Sequence, residues 1–389
     1  MEAIHKVSQT ALETAKKCRS AVLVRCPSYH PAEIRRALRA GLDHLDSPER
    51  LIRPGDMVLL KPNMLSAKSP ESCVTTHPEV ITAVGELVLD CRGKIVLGDS
   101  PAGMVKNLRR HWEKTGIWEA AQRLGIQPVS FEDCGIRSFT SPEGHIGIAR
   151  TALETDVIIN LPKLKTHQLT KQTGAVKNMF GTVPGFRKGD MHSRAPNALR
   201  FARFVVAVYQ QVTPALTIMD AVTAMEGNGP SAGPPRQVNA LLVAEDGLVL
   251  DYWAAKLINM DAAELPIFKA AVEAGLWDAQ APAPLWRGED PQSLQVADFK
   301  PPDSSRIEKL PPFVVENLRK LIWVRPRVEP KLCSACGLCV DNCPEGAMKF
   351  HNGVPQIDYQ RCIKCNCCDE ICPELAIYQQ MSFLARLLA

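Results

Sequence analysis

The sequence predicts an α/β protein, a mostly parallel sheet with helices on both faces, followed by a small α+β domain. Three observations carry that prediction. Short apolar runs alternate with amphipathic stretches over most of the chain, the pattern of strand–helix–strand units whose sheet is covered on both sides. Of the 14 cysteines, nine crowd into the last 57 residues while five scatter singly. Between the two regions lies KPPDSSRIEKLPPF, residues 300–313, whose prolines and polar groups read as a linker.

The 389 residues exceed what one core usually covers. The division expected is 1–299 for the α/β domain, 300–327 for a linker and docking segment, and 328–389 for the cysteine-rich domain. A hydrophobic fraction of 46% with 23% charged residues is that of a globular chain able to bury a core. The net charge of +4 is spread along the chain, so nucleic acid is not expected as a partner. The first residues, MEAIHKVSQTALETAKKCRSAVLVRC, lack an apolar stretch of signal-peptide length, and runs such as FVVAVY at 204–209 are far too short to span a bilayer. A cytoplasmic location without a membrane span is the expectation. There, clustered cysteines point to metal rather than to disulfides.

Taken in order, strands are expected at 20–26 (SAVLVRC), 56–63 (DMVLLKPN), 93–100 (GKIVLGDS), 156–164 (DVIINLPKL), 215–222 (ALTIMDAV) and 238–246 (VNALLVAED). Helices are expected at 31–45, 78–90, 107–125 and 199–212, where apolar residues recur every three or four positions. A segment after 313, VVENLRKLIWVRPRV, reads as a short helix running into a strand, which would hold the last domain against the first.

In sheets of this kind ligands gather beyond the carboxyl ends of the strands. Polar groups fall there: Lys61 and Asn63 end the second strand, Asp99 and Ser100 the third, Lys163, Lys165 and His167 follow the fourth, and Asp220 lies on the fifth. The densest stretch is 160–192, with Lys163, Lys165, Lys171, Lys177, Arg187, Lys188, His167 and His192 against the single acid Asp190. Lys177 is followed by Asn178, and Gly174, Gly181, Gly185 and Gly189 would let the backbone approach a ligand. Such a stretch suits a phosphate or carboxylate; the plainer reading is a solvated charged loop. A second glycine-rich loop, MEGNGPSAGPP at 225–235, offers Glu226 at the lip of the same cleft. No GxGxxG follows a strand and no GxxxxGK[ST] occurs, so neither a standard dinucleotide site nor a P-loop is expected.

The cysteines fall into two copies of C-x2-C-x2-C-x3-C-P. Cys333, Cys336, Cys339 and Cys343 precede Pro344, and Cys362, Cys365, Cys368 and Cys372 precede Pro373. In this spacing three thiolates reach one cubane and the fourth crosses to the other. The expected sets are Cys333, Cys336, Cys339 and Cys372 for one 4Fe-4S cluster, and Cys362, Cys365, Cys368 and Cys343 for a second. Zinc ribbons also use CxxC pairs, but zinc wants two pairs, and each run here adds a third evenly spaced cysteine. Cys367 fits neither set and reads as an incidental thiol pointing away.

The region 328–379 resembles the bacterial dicluster ferredoxins, with EGAMKF and ELAIYQ following each Cys-Pro in matching positions. The segments VLLKPNM, TTHPEV, VLGDSP, DVIINLPKLKTH, AVKNMFGTVPG and IMDAVTAMEGNGP, together with that tail, resemble the iron–sulfur family built on domain of unknown function 362. More distantly, the pattern is similar to the N-terminal part of lactate-racemase-like proteins. The family resemblance implies an iron–sulfur protein or oxidoreductase and names no substrate. Where family members read glycine-x-aspartate-proline-valine-alanine-x-aspartate, this chain has AEDGLVLDYWAAK, keeping Asp251 without the proline.

The functional expectation is an iron–sulfur oxidoreductase. Single electrons would pass between two 4Fe-4S clusters and an anionic small molecule, or a flavin, held at the basic cleft, with a redox protein or small molecule as the other electron partner. Lys61, Asn63, Asp99, Lys163, Lys165, Lys177 and Asn178 would bind, and His167, with Lys163, would serve the chemistry, since an imidazole titrates near neutrality. The alternatives are an electron-transfer or scaffold subunit, and a non-redox racemase-like enzyme with structural or sensing clusters.

Overall fold

Elements of the large domain begin where the sequence places their caps. The computed structural model describes residues 20–45, 48–105, 107–185, 187–195, 197–302 and 323–384. Helix α1 (Pro31–Leu42) and helix α2 (Pro78–Asp90) each start on a proline whose missing N–H costs nothing there, and the preceding His30 and His77 side chains accept from the second helical N–H. The expected helix at 107–125 is two: α3 (Leu108–Lys114) and α4 (Ile117–Arg123), broken at Gly116, whose φ is 72°. After them come α5 (Arg187–Arg194), α6 (Ala198–Gln211), α7 (Gly247–Leu257) and α8 (Pro266–Glu273). Helix α7 was invisible as a periodic pattern because nearly every side chain on it is buried.

The main sheet has ten strands. Its path is β12 (Leu285–Gly288), β1 (Ser20–Arg25), β11 (Pro235–Ala244), β10 (Leu216–Met225), β7 (Val157–Leu161), β2 (Met57–Pro62), β3 (Lys94–Asp99) and β4 (Val129–Ser130). From β10 to β4 every pair is parallel. Strand β11 runs antiparallel to β10 and β1, because the loop at 226–234 returns the chain directly instead of through a crossover helix. A separate hairpin of β5 (Ile136–Ser141) and β6 (Gly144–Ala149) was not expected from the sequence.

Adjacent residues of the strands feed opposite cores. Val58 and Leu60 pack with Ile34, Leu38, Val84 and Ile117 beneath α1, α2 and α4. Leu59 and Ile158 pack with Phe201, Phe204, Val208 and Phe268 beneath α6 and α8. A third cluster joins Leu23 and Leu242 to Trp253 and Leu257 of α7. The sheet is thus a mostly parallel α/β layer covered on both faces.

The strand expected at 156–164 divides at Pro162. Lacking an N–H, this residue ends β7, and the chain resumes as β8 (Lys163–His167), which pairs with the far part of β10 and with β9 (Lys171–Thr173). All five residues of β8 are buried, so the solvated-loop reading of this basic stretch does not hold.

Beyond 323 lie two small antiparallel pairs, β13 (Val324–Val328) with β16 (Ile377–Met381) and β14 (Met348–His351) with β15 (Val354–Ile357). Two short helices join them, α9 (Leu338–Asp341) and α10 (Cys367–Ile371). The repeat is visible in the backbone: Ala335 and Lys364 share a positive φ, as do Gly337 and Asn366, and Gly346 and Leu375. Most of the expected linker and the helix after it fall on 303–322, outside the described residues. No helix among the described residues is long and apolar enough to cross a membrane.

Candidate functional site: a lysine-rich cleft closed by a cysteine-rich module

A cleft opens at the carboxyl ends of β2 and β3. Lys61, Asn63, Asp99, Lys165, Lys177 and Asn178 all line it. Lys163 and His167 do not.

Lys163 belongs to a different, closed network. The shift of β8 along β10 sets Lys163 opposite Asp220. Its ammonium donates to Asp220 Oδ2 at 2.8 Å and to the Tyr29 hydroxyl at 2.6 Å. Tyr29 in turn donates to Asp220 Oδ1 and stacks on His77 with ring centroids 3.7 Å apart. Both charges are spent on each other, so Lys163 and Asp220 hold strands together and are withdrawn from the cleft.

His167 is likewise corrected. Burial, reinforced by the charge of Lys177, depresses it to about 4, so it is neutral at ordinary pH and not poised near neutrality. Its Nδ1 accepts from the backbone N–H of Leu169 and Thr170. Its Nε2 lies 3.2 Å from Glu370 Oε1, although the N–H is not aimed well enough to make a hydrogen bond. Burial acts to raise Glu370, but His167, Lys177 and His192 outweigh it and hold the carboxyl at about 2.

Each ammonium has three N–H donors, and counting their acceptors separates the lysines. Lys61 donates to Asp99 Oδ1 at 2.8 Å, Pro62 O at 2.8 Å and Asn178 Oδ1 at 3.3 Å. Lys188 donates to Ser100 O, Ser100 Oγ and Pro101 O at 2.6–2.8 Å. Both are saturated. Among the described residues Lys165 reaches only Asn63 Oδ1 and Val74 O, leaving one donor. Lys177 has no oxygen acceptor among the described residues and only the face of Phe201, 5.8 Å away. Burial lowers all four, and Lys177 further depresses Lys165. Four lysines of the cleft face two carboxylates, Asp99 and Glu370, and the unspent donors belong to Lys177 and Lys165.

The turn of helix Ala175–Asn178 that carries Lys177 is fixed from behind. Asp251 of α7 accepts from the N–H of Ala175 at 2.6 Å and of Val176 at 3.1 Å. A Cβ on Gly174 would lie 2.0 Å from Asp251 Oδ1, and one on Gly181 would lie 2.2 Å from Asp99 Oδ1 and 2.5 Å from Lys61 Nζ. Both glycines are the price of backbone approach to a buried carboxylate. Asn160 completes the frame, accepting from Asn178 Nδ2 and donating to Ala175 O. The departure of the sequence around Asp251 from the family pattern thus leaves this residue with a clear task.

His192, which the sequence placed in the basic stretch without a role, lines the cleft and stacks on Phe201 at 4.1 Å. Burial lowers it to about 4. With His167 it titrates lower folded than unfolded, so the unfolded chain takes protons first on acidification. This contribution to stability is complete above about pH 6.5 and is lost as pH falls toward about 4. Asp251, pushed by burial up to about 7, works in the opposite sense. The urea midpoint should fall from about pH 7 to about pH 5 less steeply in His192→Phe than in the native chain. An equal slope would remove His192 as a source of the acid sensitivity.

The far wall of the cleft comes from the cysteine-rich module. Asn342, Cys367, Glu370 and Ile371 all line it. Asn342 clasps the loop before α3, accepting from Met104 N–H at 2.5 Å and donating to Met104 O at 3.2 Å, and Ser231 donates to Asp369 O. Nothing in the sequence marked Glu370 or Cys367 as cleft residues, since both sit inside a motif whose spacing already explained them.

Two cavities within the module are walled by cysteine. The outer is lined by Cys333, Cys336, Cys339 and Cys372, and shares no residue with the cleft. The inner is lined by Cys343, Cys362, Cys365 and Cys368, and also by Cys367, which it shares with the cleft. Backbone N–H groups point at sulfur in matching places, Ala347 to Cys343 and Ala376 to Cys372. Every described cysteine is a free thiol. The sulfurs surround spaces rather than meeting at a point: among the described residues no three His, Cys, Asp or Glu side chains converge as a single ion requires. The walls fit cubanes better than zinc.

Fold and site together define a class, an α/β domain whose cleft is closed by a cysteine-rich module of iron–sulfur type. Residues 326–349 match the 4Fe-4S binding domain. Residues 58–256 match the Domain of unknown function (DUF362), and the chain belongs to that family. It is 36% identical over 317 residues to a thylakoid-associated protein of Synechocystis sp., covering 80% of this chain and 97% of that one. The lactate racemase apoprotein from Thermoanaerobacterium thermosaccharolyticum superposes with a TM-score of 0.39 and 13% identity, over 61% of this chain and 56% of that one. That likeness is too loose to bear on fold or function.

Proposed function

We propose that the chain is an iron–sulfur oxidoreductase that moves single electrons between two 4Fe-4S clusters and an anionic small molecule held in the cleft. The observation that carries this reading is the shared wall: Cys367 borders both the cleft and the inner cysteine cavity. In it, Cys333, Cys336, Cys339 and Cys372 ligate the outer cluster, and Cys343, Cys362, Cys365 and Cys368 the inner. The clusters supply one-electron chemistry at low potential. Lys177 and Lys165 neutralise the anion, Asp251 and Asn160 hold the turn bearing Lys177, and the neutral His192, which lines the cleft, is the candidate to exchange a proton with the bound molecule. The phosphate of a flavin would satisfy the same two ammonium groups. A reducing compartment, and with it a cytoplasmic location, belongs to this reading.

Anaerobically purified protein should carry about eight irons per chain, with a broad absorption bleached by dithionite. The molecule that accompanies it should be an anion, identified by its mass, that reoxidises the reduced clusters. Stoichiometric zinc would defeat the cluster assignment, and clusters that no cleft-bound molecule reoxidises would defeat the oxidoreductase. A second reading, an electron-transfer subunit that docks a partner, is favoured by the exposed apolar side chains of Leu332, Phe350 and Leu375 on the module. It would be preferred if the chain carries both clusters but no bound molecule.

A further inference from the structure

We propose that Thr173, with Lys165 and Lys177, forms a seat for a divalent tetrahedral oxoanion, a phosphate- or sulfate-type group rather than a single carboxylate. The inference deepens the oxidoreductase reading by naming the anionic end of the ligand, and rests on that reading only for the ligand's part in electron transfer.

Thr173 ends β9, and the antiparallel register of β8 and β9 sets it directly opposite Lys165. Residues paired in this way project their side chains from the same face. Both of these line the cleft. Thr173 is only 3% exposed, and its Oγ1 has no hydrogen-bond partner among the described residues. A buried hydroxyl left unpaired costs free energy, and the cleft is the free space that this residue borders. An acceptor bound there removes the cost.

The helical turn that follows, Ala175–Asn178, carries Lys177 to the same cleft. Lys177 keeps its three N–H donors, Lys165 keeps one, and Thr173 keeps its O–H, so five donors border one space. A carboxylate offers about four acceptor sites on two oxygens, whereas a phosphate group carries three or more strongly accepting oxygens. The count favours the tetrahedral group.

Charge points the same way. The four lysines of the cleft outnumber its two carboxylates by two, which a divalent anion balances and a monocarboxylate does not. Such an anion also holds the proton on Lys165, which burial and the charge of Lys177 otherwise loosen. The cleft encloses about 80 Å³. One water needs roughly 10–15 Å³ on this measure, so a tetrahedral oxoanion fits whole. The same group can arrive as the free ion or as the end of a phosphate ester whose remainder lies toward the mouth.

The test is anaerobic calorimetry on the cluster-loaded protein, its clusters kept oxidised, with sulfate, inorganic phosphate and acetate as probes in chloride buffer of constant ionic strength. Sulfate and phosphate should bind one per chain, exclude each other and exceed acetate about tenfold or more in affinity. Thr173→Val, which removes the hydroxyl at nearly constant shape, should weaken sulfate about tenfold, while the urea midpoint does not fall and iron is unchanged. Thr173→Ser should keep the binding. Flavin mononucleotide separates the two sources: the ester is favoured if it binds more tightly than both riboflavin and inorganic phosphate, and the free ion if it does not. Acetate equal to sulfate, native affinity in Thr173→Val, or no binding of sulfate and phosphate would each overturn the proposal. None of these readouts needs electron transfer. A co-purified monocarboxylate that reoxidises the clusters would therefore sink the seat and spare the oxidoreductase, and a tightly held but redox-inert oxoanion would do the reverse.

Discussion

Replacing Lys177 with methionine should abolish anion binding while leaving the fold as stable as before, whereas the same change at Lys61 should do the reverse. Lys177 spends none of its donors on the protein and is held in a half-buried site beside other cations. Its removal relieves the repulsion from Lys61 and Lys165 but also costs the attraction to Glu370, so the two largely offset in the empty cleft, while the main countercharge of a bound anion is lost. Losing one partner of such a pair costs about 2–5 kcal/mol, roughly 30-fold to several thousandfold in affinity. Lys61 is the opposite case. Its ammonium is fully buried against Asp99. Methionine there would strand a buried carboxylate, which keeps only the backbone donors of Met64 and Ser100, at a cost of about 3–5 kcal/mol. Calorimetry with the co-purified anion, or with pyrophosphate as a probe, and urea midpoints on both variants decide it. A Lys177→Met protein that binds normally, or a Lys61→Met protein of native stability, would refute the division of the lysines into binding and structural pairs.

The crossing of the fourth cysteines should show as non-additivity in iron. Cys372 shares the outer cavity with Cys336 although the two come from different halves of the repeat, while Cys365 belongs to the inner cavity. If each cavity holds one cluster, Cys372→Ser and Cys336→Ser should each remove about four of about eight irons, and the double variant should remove no more. Cys372→Ser combined with Cys365→Ser should remove nearly all. Local ligation would give the inverse result, with Cys372 and Cys365 failing together as a single site.

The legible parts of this protein were those set by local chemistry. The cysteine runs could be sorted from spacing alone into the two groups that line the two cavities, because a cubane motif fixes the interval between thiols within one loop. Lys61, Asn63 and Asp99 could be placed because they leave the ends of apolar strands, and strand ends in a parallel sheet share an edge. What failed depended on partners distant in the chain. Nothing around Pro162 shows that β8 will slide along β10 until Lys163 meets Asp220. Nothing around His167 shows that Lys177 and Glu370 will surround it and that burial will keep it neutral. Asp251 looked doubtful because its neighbours depart from a pattern, yet its carboxylate meets two N–H groups more than seventy positions away.

The clasp between Asn342 and Met104, with Cys367, Glu370 and Ile371 beyond it, fixes an order of manufacture. The sheet and its lysines leave the ribosome well before the turn that finishes their cleft, and that turn lies between Cys365 and Cys372, one lining each cysteine cavity. A ribosome-fresh chain therefore owns a floor and two sides, and gains its last wall only once the tail has been made and has folded back onto the loop at Met104.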